Sequence, residues 1–147
     1  ERKVIIALDE SQYARKALDW AMKNFLRPGE DMAILTHCRE PVAAPIAYGV
    51  GYYDFTDYTS KIEQSNRQKS HQMLKDYAHV LQHEGIKVKA YALRGDAREA
   101  ITDKVKEVNP DTVVVGSRGL GALKRTFIGS TSDYLVHHLE CPVIIVK

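Results

Sequence analysis

The residues with the clearest chemical meaning lie between Asp111 and Ser132. Asp111-Thr112-Val113-Val114-Val115 is a short β-branched run that opens into Gly116-Ser117-Arg118-Gly119, and nine residues later comes Gly129-Ser130-Thr131-Ser132. Gly116 can turn the chain sharply at the end of a strand, and Gly119 removes a side chain where backbone must approach a ligand. Ser130 onward reads as the start of a helix through Asp133 to Leu139. A helix start carries unpaired N–H donors and a partial positive charge, so with added hydroxyls it suits the oxygens of a phosphate group. Arg118, Lys124 and Arg125 in the intervening loop add positive charge. The blander alternative is a surface loop shaped by glycines, with Ser130 as an N-cap and Asp133 completing an acidic capping box. Two better-known phosphate motifs do not fit. Gly121 is followed by Ala122-Leu123, not Lys-Ser or Lys-Thr, and the first strand leads into Asp9-Glu10-Ser11 without a G-x-G-x-x-G run.

No set of residues reads as a catalytic machine. Catalysis needs a base near a transferable proton or a positioned nucleophile. His79 and His83 stand at i, i+4 spacing without an evident third ligand, which suits a solvated helix face better than a zinc site. His137-His138 falls near a helix end, where the dipole stabilises a charged imidazole. His37 and Cys38 are adjacent on a strand and so point to opposite faces.

The elements that must position the glycine stretch follow from periodicity. Lys3 to Leu8 is a nearly continuous apolar run, as in a central strand covered on both faces. Ala14, Ala17, Leu18, Ala21, Met22 and Phe25 then repeat at helical spacing before Pro28-Gly29, and Asp31 to Cys38 is a second strand. From Arg39 to about Ser60 the periodicity stops. Pro41, Pro45, Gly49 and Gly51 mark a loop, whose Tyr48, Tyr52, Tyr53, Phe55 and Tyr58 suit packing over the mouth of a site. A helix is expected from Ser60 to Glu84 with Met73, Tyr77, Val80 and Leu81 as its apolar stripe, closed by Gly85. Ile86 to Leu93 alternates Ile86, Val88, Ala90 and Ala92 with more polar residues, the pattern of a strand near a sheet edge. Asp96 caps a third helix that buries Ala97, Ala100, Ile101, Val105 and Val108, and Cys141 to Lys147 supplies a fifth strand. The order β-α-β-α-β-α-β-α-β predicts an α/β fold: a single doubly wound domain over residues 1–147, with a five-stranded parallel sheet and helices on both faces. Such sheets bind ligands at the carboxyl ends of their strands, where strand order reverses. Asp9 and the Gly116 loop would then face each other across one crevice.

Composition narrows the function classes. A net charge of +2 over 147 residues is too small to argue for nucleic acid. No apolar run approaches the roughly 20 residues of a membrane span. Two cysteines, Cys38 and Cys141, beside apolar strands suit thiols in a reducing, cytoplasmic compartment better than a disulfide framework. The chain starts at Glu1, which leaves open a targeting peptide lost before it.

With these residues in view the sequence resembles the universal stress protein family. Gly116-x2-Gly119-x9-Gly129-Ser130 matches the motif of that family's ATP-binding branch, and Val4 to Ser11 and Cys141 to Val146 resemble its first strand with acidic turn and its last strand. The resemblance implies strand order 3-2-1-4-5, ATP as ligand with Mg carried on its phosphates, dimerisation, and a role in stress responses with little settled chemistry. It places Ala7 and Asp9 near the adenosine, with the Asp9 carboxylate on ribose hydroxyls, and Cys38 against adenine. Capping the first helix is the alternative role for Asp9, and an ordinary core thiol for Cys38. Val115 and Gly116 would offer backbone to base and sugar, while Gly119, Gly129, Ser130, Thr131 and Ser132 surround the phosphates. Tyr13 stands where serine is common in the family. The reading is a nucleotide-binding regulatory module with an unknown protein partner. A slow ATPase or related nucleotide-using enzyme, and a structural dimer without ligand, stand as alternatives. In the implied order the last strand lies at an edge, and Val143, Ile144, Ile145 and Val146 are too apolar for a bare one, so a homodimer through them is expected.

Overall fold

The computed structural model describes residues 1–42, 52–118 and 128–147, with 52–56 as backbone only. Its elements are β1 (Arg2–Leu8), α1 (Gln12–Asn24), β2 (Asp31–Arg39), α2 (Tyr52–His83), β3 (Lys87–Arg94), α3 (Ala97–Val108), β4 (Thr112–Gly116), α4 (Ser130–His138) and β5 (Val143–Val146). The strands form one parallel sheet in the expected order β3-β2-β1-β4-β5. The three inner strands have apolar side chains on both faces because helices cover both. Val4, Ile6, Leu8, Ala33, Leu35 and Val114 meet Ala14, Ala17, Leu18 and Ala21 of α1 and Leu74 and Leu81 of α2 on one side. On the other, Ile5, Ala7, Ile34, Val113 and Val115 meet Ile101 and Val105 of α3 and Leu135 of α4. Near the amino ends of β1 and β2, Arg2 donates twice to the buried Asp31 carboxylate, at 2.8 and 2.6 Å, and Arg27 N–H adds a third bond at 2.7 Å. Burial alone would raise the pKa of Asp31, but these donors outweigh it and hold the carboxyl below its usual value.

Three expectations need correcting. First, α2 begins at Tyr52, not near Ser60, so the segment after β2 is much shorter than Arg39 to Ser60. Nothing between Tyr52 and Ser60 breaks a helix, and an Asp57–Lys61 pair at 3.0 Å supports this turn. Tyr48, with the rest of 43–51, lies outside the described residues, while Tyr58 is an exposed residue of α2. Second, the buried stripe of α2 is rotated by about one residue. Ser70, Leu74 and Leu81 are buried, Met73 and Tyr77 pack at its margin, and Val80 is 48% exposed. Third, Ala90 and Ala92 of β3 are exposed, whereas Tyr91 and Leu93 pack on the α3 side and Val88 on the α2 side. An edge strand has two partly covered faces, and the larger side chains take the cover available. Among the described residues no helix is long and apolar enough to cross a membrane.

Candidate functional site

β1 and β4 pair side by side, with Ala7 opposite both Thr36 and Val115. Their connections leave the sheet on opposite faces, so a crevice opens at their carboxyl ends. It is a cavity of about 530 Å³, within the range of small-molecule sites. Its wall gathers Ala7, Asp9, Cys38, Val115, Gly116, Gly129, Ser130, Thr131 and Ser132, every residue the sequence singles out as a ligand contact within the described part of the chain. Gly119, with Lys124 and Arg125, lies outside the described residues.

Gly116 has a different reason to be glycine from the sharp turn expected of it. A Cβ there would sit 2.8 Å from the backbone C and O of Tyr13 and 3.1 Å from Ala14 N. The missing side chain lets the first turn of α1 rest directly on the end of β4, so the role is helix packing beside the cavity.

The other end of the Gly116–Ser132 stretch is tied down by its backbone. Ser117 N–H donates to Val146 O at 2.8 Å, and Gly129 N–H donates to Ser117 O at 2.6 Å. The N-cap of α4 is Gly129, so Ser130 is the first helical residue, not the cap. Among the described residues no side chain caps this helix, so its first-turn N–H groups are without a side-chain partner there, and Ser130 and Thr131 of that turn line the cavity. These donors, with Arg118 in the same wall, fit the phosphate groups of a nucleotide. The Ser132 hydroxyl is buried, 2.9 Å from Gly129 O and 3.3 Å from Ser117 O. It braces the neck of the loop and is not free for a ligand, although Ser132 still borders the cavity.

Asp9 sits in the turn between β1 and α1, where one carboxylate oxygen accepts from Ser11 N–H at 2.8 Å. Ser11 is the N-cap of α1, its hydroxyl accepting from Ala14 N–H at 3.2 Å, so capping is not the task of Asp9. The second carboxylate oxygen remains able to accept from a hydroxyl. Cys38 is half-buried, with its thiol donating to Gly95 O at 3.2 Å. Burial, with the Asp96 and Glu40 carboxylates adding to it, pushes this thiol up to about 11. It is therefore an unreactive, small apolar wall.

Glu40, unmarked by any motif, lines the cavity, as do Ala97 and Ile101, which helical periodicity marks only as the buried face of α3. The signal was present in the Asp96 cap. The Asp96 carboxylate accepts from Arg98 N–H and Glu99 N–H, and starts α3 just after β3, so its first turn overhangs the strand ends.

The histidines separate as expected. His37 points away from Cys38 and meets Ser70 of α2 in a buried hydrogen bond of 2.6 Å. His137 and His138 donate from Nδ1 to Asp133 O and Tyr134 O, each at 2.8 Å, and His79 and His83 are exposed. Among the described residues no group of three His, Cys, Asp or Glu side chains could hold a metal ion.

Comparison with known proteins agrees with this architecture. The family model described as "Universal stress protein family" matches residues 1–147. Universal stress protein Sll1388 of Synechocystis sp. is 28% identical over 151 residues, covering 99% of this chain and 97% of that protein. A universal stress protein A-like protein of Arabidopsis thaliana is 38% identical over 94 residues, 64% of this chain and 51% of its own length. The match thus spans about half of that relative. Among solved structures, a hypothetical protein whose biochemical function was assigned from its structure superposes with a TM-score of 0.83 at 20% identity, covering 99% of this chain and 95% of that one. A universal stress protein family protein from Arabidopsis thaliana with AMP bound superposes at 0.72 with 26% identity, covering 100% and 92%. A universal stress protein in complex with cAMP does so at 0.68 with 17% identity, covering 99% and 96%. The motif, the strand order and the whole-length match converge: the chain belongs to the universal stress protein family.

Proposed function

We propose that this chain is an ATP-binding regulatory module of the stress response, holding its nucleotide between the Asp9 turn and the Gly116–Ser132 stretch. The observation that carries the reading is the single cavity joining Ala7, Asp9, Cys38 and Val115 to the uncapped start of α4. Its walls divide by chemistry. Cys38, Ala97, Ile101 and Val115 make an apolar slot suited to a purine ring, Asp9 offers an acceptor for ribose hydroxyls, and the α4 start with Arg118 offers donors and charge to phosphates. The Arabidopsis relative with AMP bound supports an adenine nucleotide. Magnesium in this reading rides on the phosphates, since a carboxylate such as Asp9 repels phosphate oxygens unless a metal bridges them.

In this reading the site holds its nucleotide rather than reacting with it. Among the described cavity residues the Cys38 thiol is protonated and the Ser132 hydroxyl is committed to Gly129 O. We therefore infer that nucleotide occupancy acts by biasing conformation or recruiting a protein partner. Two unpaired thiols, Cys38 and Cys141, support a reducing, cytoplasmic setting. A homodimer through β5 is part of the same reading. This strand lies at an edge of the sheet, and Val143, Ile144 and Ile145 are only partly covered while Val146 is buried.

Mass spectrometry of nucleotide released from freshly purified protein, followed by calorimetry of nucleotide-free protein with ATP and AMP, tests the reading. Binding of an adenine nucleotide is expected, and failure to bind any would refute it. Sedimentation at micromolar concentration tests the dimer, which a monomer would contradict.

A further inference from the structure

We propose that Arg118, seated on the ring of Tyr13, reads the length of the phosphate chain and gives the site a preference for a triphosphate over a monophosphate. This rests on the adenine-nucleotide reading of the cavity. Arg118 is the only cation among the described lining residues, where it is joined by two carboxylates, Asp9 and Glu40. A monophosphate can be held by the N–H groups of α4 alone. Each further phosphate adds negative charge to a cavity that already carries two acidic side chains, and Arg118 is placed to meet it.

Arg118 is positioned from two sides. Its backbone follows Ser117, which is bonded to Val146 O at 2.8 Å and to Gly129 N–H at 2.6 Å, so it emerges beside the start of α4. Its guanidinium lies 5.6 Å from the centroid of the Tyr13 ring, its one partner among the described residues. A guanidinium resting on a ring face keeps its N–H edges free to donate. Tyr13 is itself fixed, because its backbone rests against Gly116 at the distance where even a Cβ would collide. Lys16 approaches the same ring at 5.7 Å. Two cations thus approach one aromatic ring, and an anion bound at Arg118 offsets their like charge. Tyr13 is a positioning residue in this arrangement and touches no ligand itself.

Calorimetry with ATP and AMP, at constant ionic strength with magnesium, on nucleotide-free wild type and the variants Arg118→Gln, Arg118→Lys, Tyr13→Phe and Tyr13→Ala tests the proposal. Wild type should bind ATP more tightly than AMP. Arg118→Gln should weaken ATP by about tenfold, the loss of one charge-assisted contact, and AMP by less than about twofold. Arg118→Lys should recover part of the ATP affinity. Tyr13→Phe should keep the ATP-to-AMP ratio, while Tyr13→Ala should lower it by about threefold, as expected for losing an exposed cation–π contact. Equal weakening of ATP and AMP in Arg118→Gln, or an unchanged ratio, would overturn the proposal while leaving the adenine-nucleotide site intact. Failure of wild type to bind either nucleotide would overturn the site reading and this inference together.

Discussion

Replacing Gly116 by alanine is expected to destabilise the fold, whatever it does to ligand binding. The added Cβ would lie 2.8 Å from Tyr13 C and O and 3.1 Å from Ala14 N, well inside the roughly 3.5 Å at which carbon atoms make favourable contact. The atoms it meets are backbone, so no rotamer change can clear them. Neither side yields easily. Gly116 is paired with Val146 in the sheet, and the first turn of α1 is held by the Ser11 cap and by burial of Ala14, Ala17 and Leu18. Overpacking of this kind costs about 2–3 kcal/mol. For a domain of this size that corresponds to a fall in Tm of roughly 5–10 °C. Urea denaturation with an unchanged m-value is the assay, because a lower midpoint at constant m reports stability alone. Tyr13→Ala in the Gly116→Ala background should not restore the midpoint, since the clash is with main-chain atoms. If Gly116→Ala left stability within about 0.5 kcal/mol of wild type and abolished nucleotide binding, the glycine would serve the ligand and the packing argument would be wrong.

Other outcomes follow from neighbouring contacts. Ser132→Ala removes the buried hydroxyl bonded to Gly129 O and should cost about 1–2 kcal/mol in urea denaturation; an unchanged midpoint would show that the brace is dispensable. Burial lowers the pKa of His37 below its ordinary value, although Glu10 and Asp9 oppose the shift and Arg39 adds to it. The unfolded chain therefore takes up the proton first, so the His37 contribution is complete above its unfolded pKa near 6.5 and is lost as pH falls toward the lower folded value. The urea midpoint of wild type should consequently drop more between pH 7.5 and pH 5.5 than that of His37→Asn, which keeps a polar partner for Ser70; parallel profiles would contradict this. Cys38, with its thiol held at about 11, should react with a disulfide reagent at pH 8 far more slowly than an exposed cysteine. Rapid labelling of Cys38, identified by peptide mapping, would show that the wall is open or the thiol activated.

Much of this protein is written in local sequence. Continuous apolar runs at Val4–Leu8 and Thr112–Val115 require a strand buried on both faces, and the Gly85 and Asp96 signals end and start helices because backbone groups there have few alternatives. Alternation of strands with helices then dictates a parallel sheet, and the glycine spacing marks one wall of the cavity. Where local preferences were nearly balanced, the tertiary contacts decided. The start of α2 at Tyr52, the rotation of its buried stripe to Leu74 and Leu81, and the exposure of Ala90 depend on what the opposing sheet face covers, which no window of sequence contains. The same holds for the site. Gly116 reads as a sharp turn until α1 is laid across it, and the Ser132 hydroxyl reads as a phosphate donor until it meets Gly129 O. Residue type and spacing determined which groups could hold a phosphate. Long-range packing decided which of them are left free to do it, because each donor taken by the fold is lost to the ligand.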